Sequence, residues 1–280
     1  MSEKLATAPR GKVSLFGVLR SESIRFFSLN STRILILLAI VLYAAIAAIG
    51  TWGIGSLRAS MGGMEQMPGM EDLVAPGFAS ELMGSGLVFS QLILGVLGVL
   101  LFSGEFTTGS AVSTFLASPQ RLRVLAAKTI LITVVTAGVQ IVSSLLAFAI
   151  SKPIADNYQM DLDFGSDAFQ RVLWYGALAV AMAALIGLAL GMMLRNSAGG
   201  ITSLAALFFV LPIILSILTS ITDWAQHIAK FTPDQLGMAL ATPSSVVTDL
   251  ESWQQLLGVA GWIVLPLALG AVLLAKRDIK

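Results

Sequence analysis

Six long apolar runs constrain the fold of this chain more than any other feature of its sequence. They cover residues 34–54, 82–103, 129–150, 172–194, 198–221 and 255–275, and none contains Asp, Glu, Lys, Arg or His. A helix of about 20 apolar residues crosses roughly 30 Å of hydrocarbon. Only 12% of the residues are charged, against about 25% in soluble domains. The runs therefore predict an all-α polytopic membrane protein with six transmembrane helices.

The basic residues predict how these helices are oriented. Thirteen of the 17 Lys and Arg residues flank the spans on the side of the two termini, and the other side carries only Arg58, Lys152, Arg171 and Lys230. The positive-inside rule then places both termini in the cytoplasm. Termini on the same side require an even number of spans, which agrees with six. We expect a cytoplasmic N-terminus over residues 1–33, a membrane domain over 34–275 and a cytoplasmic tail over 276–280, in a multi-pass plasma-membrane protein.

Residues 13–29 predict an amphipathic helix along the inner membrane surface. Its ionic residues are Arg20, Glu22 and Arg25. The alternative is a basic juxtamembrane helix that only fixes orientation. The apolar side chains expected to share one face are Leu15, Phe16, Leu19, Phe26 and Phe27.

The composition excludes several kinds of chemistry. Spans without ionisable residues argue against proton-coupled transport, although sodium sites built from carbonyls and hydroxyls stay open. The chain has no cysteine, and its one histidine, His227, lies in an outer loop. Gly11-Lys12 is followed by Val13 and lacks the earlier glycine of a phosphate-binding loop. We therefore expect no enzyme activity in this chain, and any ATPase must be a separate subunit.

The loop over residues 104–123 is the inner segment large enough to receive such a partner. It begins with Glu105 at the bilayer edge, is broken by Ser118-Pro119 and ends with two arginines. Lys128 in the next helix is expected to snorkel back to the interface. A plain inner turn would explain the arginines, but not the length of the loop or the position of Glu105.

The motif Glu-Phe-Thr-Thr-Gly, followed by Leu-Ala-Ser-Pro-Gln-Arg and Leu-Ala-Ala-Lys, resembles the second-to-third span junction of type-2 ABC exporter permeases. The stretch over residues 19–33 resembles actinobacterial members of that group. The resemblance implies a permease homodimer, or a dimer with a paralogous permease, above two ABC subunits that bind ATP and Mg²⁺. It implies an interface helix containing Arg20, Glu22 and Arg25, and a coupling loop containing Glu105, Phe106, Thr107, Gly109, Pro119, Arg121 and Arg123.

Uncharged polar residues inside the spans either pack helices together or line a path. The resemblance places a central cavity beside the second and fifth spans, where the candidates are Ser90, Gln91, Thr202, Ser203, Ser216 and Thr219. Gln140 is a further polar residue in the third span. Gly187 and Gly191 on the fourth span predict close helix packing within the subunit.

Methionine recurs every third residue in the first outer loop, at Met61, Met64, Met67 and Met70. Thioethers are soft ligands for cuprous copper, so this loop could capture or release that ion. The alternative is a mobile apolar edge that rests on headgroups or on other loops.

These features favour the membrane subunit of an ATP-driven exporter for an amphipathic or lipid-like compound, with membrane lipid as a partner and no nucleic acid. The alternatives are a copper-handling permease of the same kind, a sodium-driven transporter, and a scaffold or sensor that binds a cytoplasmic partner.

Overall fold

A computed structural model describes residues 14–60, 77–107, 109, 121–243, 246 and 248–276. Within these ranges the backbone forms helices and turns and contains no strand. In chain order the helices are α1 (Leu15–Ser28), α2 (Asn30–Ser60), α3 (Phe78–Glu81), α4 (Leu87–Thr107), α5 (Arg121–Asn157), α6 (Asp167–Leu194), α7 (Ser197–Ala205), α8 (Leu211–Thr219), α9 (Asp223–Ala229), α10 (Pro233–Ala241) and α11 (Ser252–Lys276).

Among the described residues, six helical segments are long and apolar enough to cross a membrane, which confirms the predicted number of spans. The second span joins α3 to α4 through a 3₁₀ turn at Leu82–Gly84, and the fifth joins α7 to α8. Most helices extend several residues beyond the apolar runs; α5 begins at Arg121, although its run begins at residue 129. A helix can continue into the polar headgroup region, where its residues no longer need to be apolar and an apolar run does not mark its end.

Helix α6 lies at the centre of the bundle and contacts α4, α5, α7, α10 and α11. Its contact with α4 depends on glycine: a Cβ at Gly187 would overlap the Gly95 carbonyl oxygen, and one at Gly191 would lie 2.6 Å from the Val99 carbonyl oxygen. On α4, a Cβ at Gly98 would overlap the carbonyl of Ala184. The close packing predicted for Gly187 and Gly191 is therefore confirmed.

Proline interrupts the fifth span but not the sixth. A π turn at Ala206–Val210 separates α7 from α8, directly before Pro212 near the start of α8. Proline has no N–H to donate and its ring collides with the preceding turn, and a π turn accommodates both defects. In α11 the helix continues across Pro266.

The segment between the fifth and sixth spans contains two short helices, α9 and α10. Helix α10 packs against α6 and α11, and Leu236, Gly237 and Leu240 are buried. A Cβ on Gly237 would lie 2.6 Å from Gln91 Nε2 and 2.9 Å from Ala179 Cβ. This connection therefore re-enters the bundle, at the end opposite to α1.

The glycine seam between α4 and α6 yields the first prediction. We expect Gly187→Ala to lower the thermal unfolding midpoint of the detergent-purified protein by several degrees, because the new methyl group must displace the α4 backbone. Gly138→Ala is the matched control: it lies on α5 with no atom within 4 Å of its Cβ position. Since alanine favours a helix over glycine by about 1 kcal/mol, this variant should keep or raise the midpoint. Equal losses in the two variants would contradict the packing argument.

Candidate functional site

Helix α1 turns a narrow stripe of Val18, Glu22 and Phe26 toward the bundle. The i, i+4, i+8 spacing places these three side chains on one face. Leu15, Phe16 and Phe27 are exposed instead. The prediction that Phe26 shares one face with Leu15, Phe16 and Phe27 is therefore wrong. Phe26 lies on the buried face with Glu22, a residue that the pattern of apolar side chains did not include.

Lys128 is at the centre of a buried charge network between α1, α4 and α5. Its Nζ donates to Glu22 Oε2 at 2.6 Å and to Glu105 Oε1 at 2.7 Å. The Lys128 side chain is only 1% exposed, so the expectation that it snorkels to the interface is wrong. Two carboxylates stabilise the buried ammonium where water would otherwise be needed.

Arg25 completes the network from α1. Its Nη1 donates to Glu105 Oε1 at 2.5 Å, while Arg20 on the same helix is exposed. Of the two arginines on α1, the structure therefore pairs Arg25 with Glu105. Two acids and two bases balance within the network, which links the amphipathic helix to the inner ends of the second and third spans.

The predicted coupling loop is only partly described. Phe106 stacks on Phe102 with ring centroids 5.7 Å apart, and the Arg195 guanidinium lies 5.1 Å from the Phe106 centroid. Thr107 Oγ1 is 3.2 Å from Ser197 Oγ, which ties the end of α4 to the start of α7.

Further along this loop, Gly109 adopts a positive φ of 70°, Arg121 begins α5 and Arg123 is exposed. Pro119 lies outside the described residues, with most of the loop itself. The structure therefore describes the two ends of the predicted coupling segment.

The polar residues of the second span lie inside the subunit. Ser90 Oγ donates to Gln140 Oε1 at 2.6 Å, and Gln140 Nε2 donates to Ser144 Oγ at 3.2 Å. Ser144 Oγ then donates to Tyr43 OH at 3.3 Å. This chain joins α4, α5 and α2 and serves helix packing. Ser144 and Tyr43 were missed because nothing in an apolar run shows which hydroxyls meet.

The candidates on the fifth span lie elsewhere. Thr202 and Ser216 are exposed, and the Ser216 and Thr219 hydroxyls donate to carbonyls of their own helix. Ser203 lines a groove between α6, the fifth span and α11. Within this single subunit, the structure therefore does not bring the two predicted sets together.

Gln91 is fully buried where α10 re-enters the bundle. Neither its amide oxygen nor its amide nitrogen has a hydrogen-bond partner among the described residues. Asp234, near the start of α10, is also buried. Burial raises the pKa of the Asp234 carboxyl, and a hydrogen bond with Thr232 opposes that shift. The largely apolar contact of α10 with the bundle therefore includes buried polar groups whose hydrogen bonds are incomplete.

Compared with known proteins, the chain matches no family model and no curated relative. Among the described residues, no group of three or more His, Asp or Glu side chains is placed to hold a metal ion. Met61, Met64, Met67 and Met70 lie outside the described residues. The charge network of Glu22, Arg25, Glu105 and Lys128 is therefore the candidate functional site of the described residues.

The second prediction concerns Lys128. We expect Lys128→Met to destabilise the protein strongly, because removing one partner of a buried ion pair costs about 3–5 kcal/mol. Lys152→Met is the control: this lysine pairs with Asp156 on the surface of α5, where its side chain is 43% exposed. Such a pair contributes about 0–1 kcal/mol. Thermal unfolding in detergent measures both; similar midpoints would show that the network does not stabilise the fold.

The third prediction compares two glutamines that are both fully buried. Gln91→Leu should raise the unfolding midpoint, because an unsatisfied buried polar group costs about 1–3 kcal/mol. Gln140→Leu should lower it, because it leaves Ser90 and Ser144 without their shared partner. The test is that the two variants shift the midpoint in opposite directions. A lower midpoint for Gln91→Leu would show that the Gln91 amide has hydrogen-bond partners in the membrane protein.

Proposed function

We propose that this chain is the membrane-spanning permease subunit of an ATP-driven type-2 ABC exporter in the plasma membrane. Its cargo is an amphipathic or lipid-like compound. One observation carries the proposal: a buried charge network joins the N-terminal helix to the two spans that flank the 104–123 loop. ATP and Mg²⁺ bind to the partner subunit, and this chain catalyses no reaction.

The network supports a coupling role because of where it lies. Glu105 is two residues from the end of α4, and Lys128 is in the second turn of α5. A subunit that pushes on the intervening loop moves the ends of both spans together. Since Glu22 and Arg25 are tied to the same two residues, α1 moves with them. The excess of basic residues at this end favours the cytoplasm as its location.

The membrane-facing surface supports an apolar cargo. A groove of about 590 Å³ runs between α6, the fifth span and α11. Its walls include Ile186, Leu207 and Trp262, with Ser203 as a polar residue. Because the cores of the spans contain no fixed charge, an amphipathic or lipid-like molecule fits this interior better than an ion does.

Pairing with a second permease, either another copy or a paralogue, would cover the outermost helices. On α8, Ile213, Ile214 and Ile217 are each more than half exposed. Only 17% of the fifth span and 11% of the sixth are buried, against 78% of the fourth. These two spans therefore offer the apolar area that a permease partner or lipid must cover.

The fourth prediction tests coupling at Glu105. The chain, purified with its ATPase from native membranes, should hydrolyse Mg·ATP and drive ATP-dependent transport in vesicles. Glu105→Gln should leave assembly detectable but reduce transport per ATP hydrolysed by about tenfold, because the weakened Glu105 contact lets α1 and the loop move apart. Glu81→Gln, the same change at the far end of the second span, should behave as the unmodified protein.

Three results would contradict the proposal. Transport driven by a sodium gradient without ATP would favour a secondary transporter. Loss of copper tolerance after all four loop methionines are changed to leucine would favour the copper-handling permease. A soluble partner that binds no nucleotide would favour a scaffold or sensor.

A further inference from the structure

We propose that the cavity beside the charge network binds an anionic phospholipid from the leaflet that contains α1. One acyl chain enters the cavity, and the phosphate is held at its rim by the Arg25 guanidinium. The proposal depends on the membrane location of the chain and not on the exporter function.

The cavity has the size and the lining for such a molecule. Its volume is about 360 Å³, within the roughly 300–1,000 Å³ of ligand pockets. Leu97, Leu100 and Leu101 of α4 form an apolar wall, and Phe26 of α1 contributes to the same lining. Glu22, Glu105 and Lys128 lie along its polar side, and Arg25 supplies the second base that balances the two acids.

The rim of the cavity is open at the corner between α1 and α2. Leu29 is half exposed there, and the neighbouring Ser31, which also lines the cavity, is exposed. The helix that forms this rim turns Leu15, Phe16, Ile24 and Phe27 outward. Because that surface is apolar, α1 lies in the interfacial region of the bilayer. A lipid of that leaflet can therefore enter sideways.

The exposed charges around the rim select an anion. Between residues 14 and 33, Arg20 and Arg33 are exposed and the Arg25 side chain is 36% exposed, whereas the one acid, Glu22, is buried. Arg25 is already counted among the two bases that balance Glu22 and Glu105, so the excess positive charge near the rim is that of Arg20 and Arg33. A guanidinium presents a planar fork of donors that matches a phosphate, and it can share this fork with Glu105.

The lipid would also regulate the network. Its phosphate and Glu105 would both contact Arg25, while its acyl chain would fill the space between α1 and α4. A ligand that binds only the folded state stabilises it, and the stabilisation grows with the ratio of ligand concentration to Kd. The contact of α1 with α4 and α5 should therefore be more stable in an anionic membrane than in a neutral one.

The experiment uses the full chain purified in a mild detergent. Dioleoylphosphatidylglycerol, dioleoylphosphatidylcholine or inorganic phosphate is added, and thermal unfolding is followed. We expect the anionic lipid to raise the midpoint by several degrees and the other two to leave it unchanged. Equal shifts with both lipids would overturn the role of the phosphate, and a shift with inorganic phosphate alone would assign the site to the free ion.

Two variants locate the effect in this cavity. Leu100→Phe fills the apolar part and should abolish the shift, whereas Leu146→Phe, the same change at an exposed position on α5, should keep it. Arg25→Lys retains the charge beside Glu105 but loses the planar fork of donors. It should raise, by about tenfold, the lipid concentration needed for the same shift of the midpoint. Arg25→Lys remains a test even if Leu100→Phe folds poorly. A full lipid response in both cavity variants would overturn the proposal.

Discussion

The contact between α4 and α6 sets the geometry of this bundle. At Gly98, Gly187 and Gly191 the two backbones approach within a distance that leaves no room for a side chain. In hydrocarbon there is no hydrophobic drive between helices, so close van der Waals packing holds them together. Helix α6 also contacts the third, fifth and sixth spans and α10. The packing of α4 on α6 therefore fixes where the two ends of α4 meet the other helices.

Each end of α4 presents polar groups to a helix that lies outside the six spans. At one end Glu105 meets Arg25 of α1 and Lys128 of α5, and the charges compensate one another. Toward the other end Gln91 meets Gly237 of α10, and the amide has no partner among the described residues. An attachment made by buried ion pairs is costly to break, whereas a buried amide without a hydrogen-bond partner favours a contact that can separate. The α1 attachment is therefore the better candidate for transmitting movement into the membrane.

Much of the architecture could be predicted from the sequence because hydrocarbon imposes a simple rule on each segment. The six spans, α9, α10 and the packing role of Gly187 follow from local patterns. The predictions for Lys128 and Phe26 were wrong because they assumed that a basic residue near a span end reaches water and that apolar residues share one face. Both assumptions fail here because the carboxylates of Glu22 and Glu105 are buried against Lys128. Lys128 then has partners inside the protein, and α1 turns the face with Glu22 and Phe26 inward. The pairing of Gln140 with Ser90 and Ser144 could not be foreseen either, since it depends on the rotation of two helices.

The sequence by itself determined that the chain is an all-α membrane protein with six spans, because apolar length and the lack of charge are properties of single segments. It also predicts the orientation, through the placement of Lys and Arg. Only the tertiary structure decided that Glu22, Arg25, Glu105 and Lys128 form one network. These residues are up to 106 positions apart, and their meeting depends on how α1 docks and how closely α4 packs. The cavity beside them is likewise a property of that packing, and no local pattern encodes it.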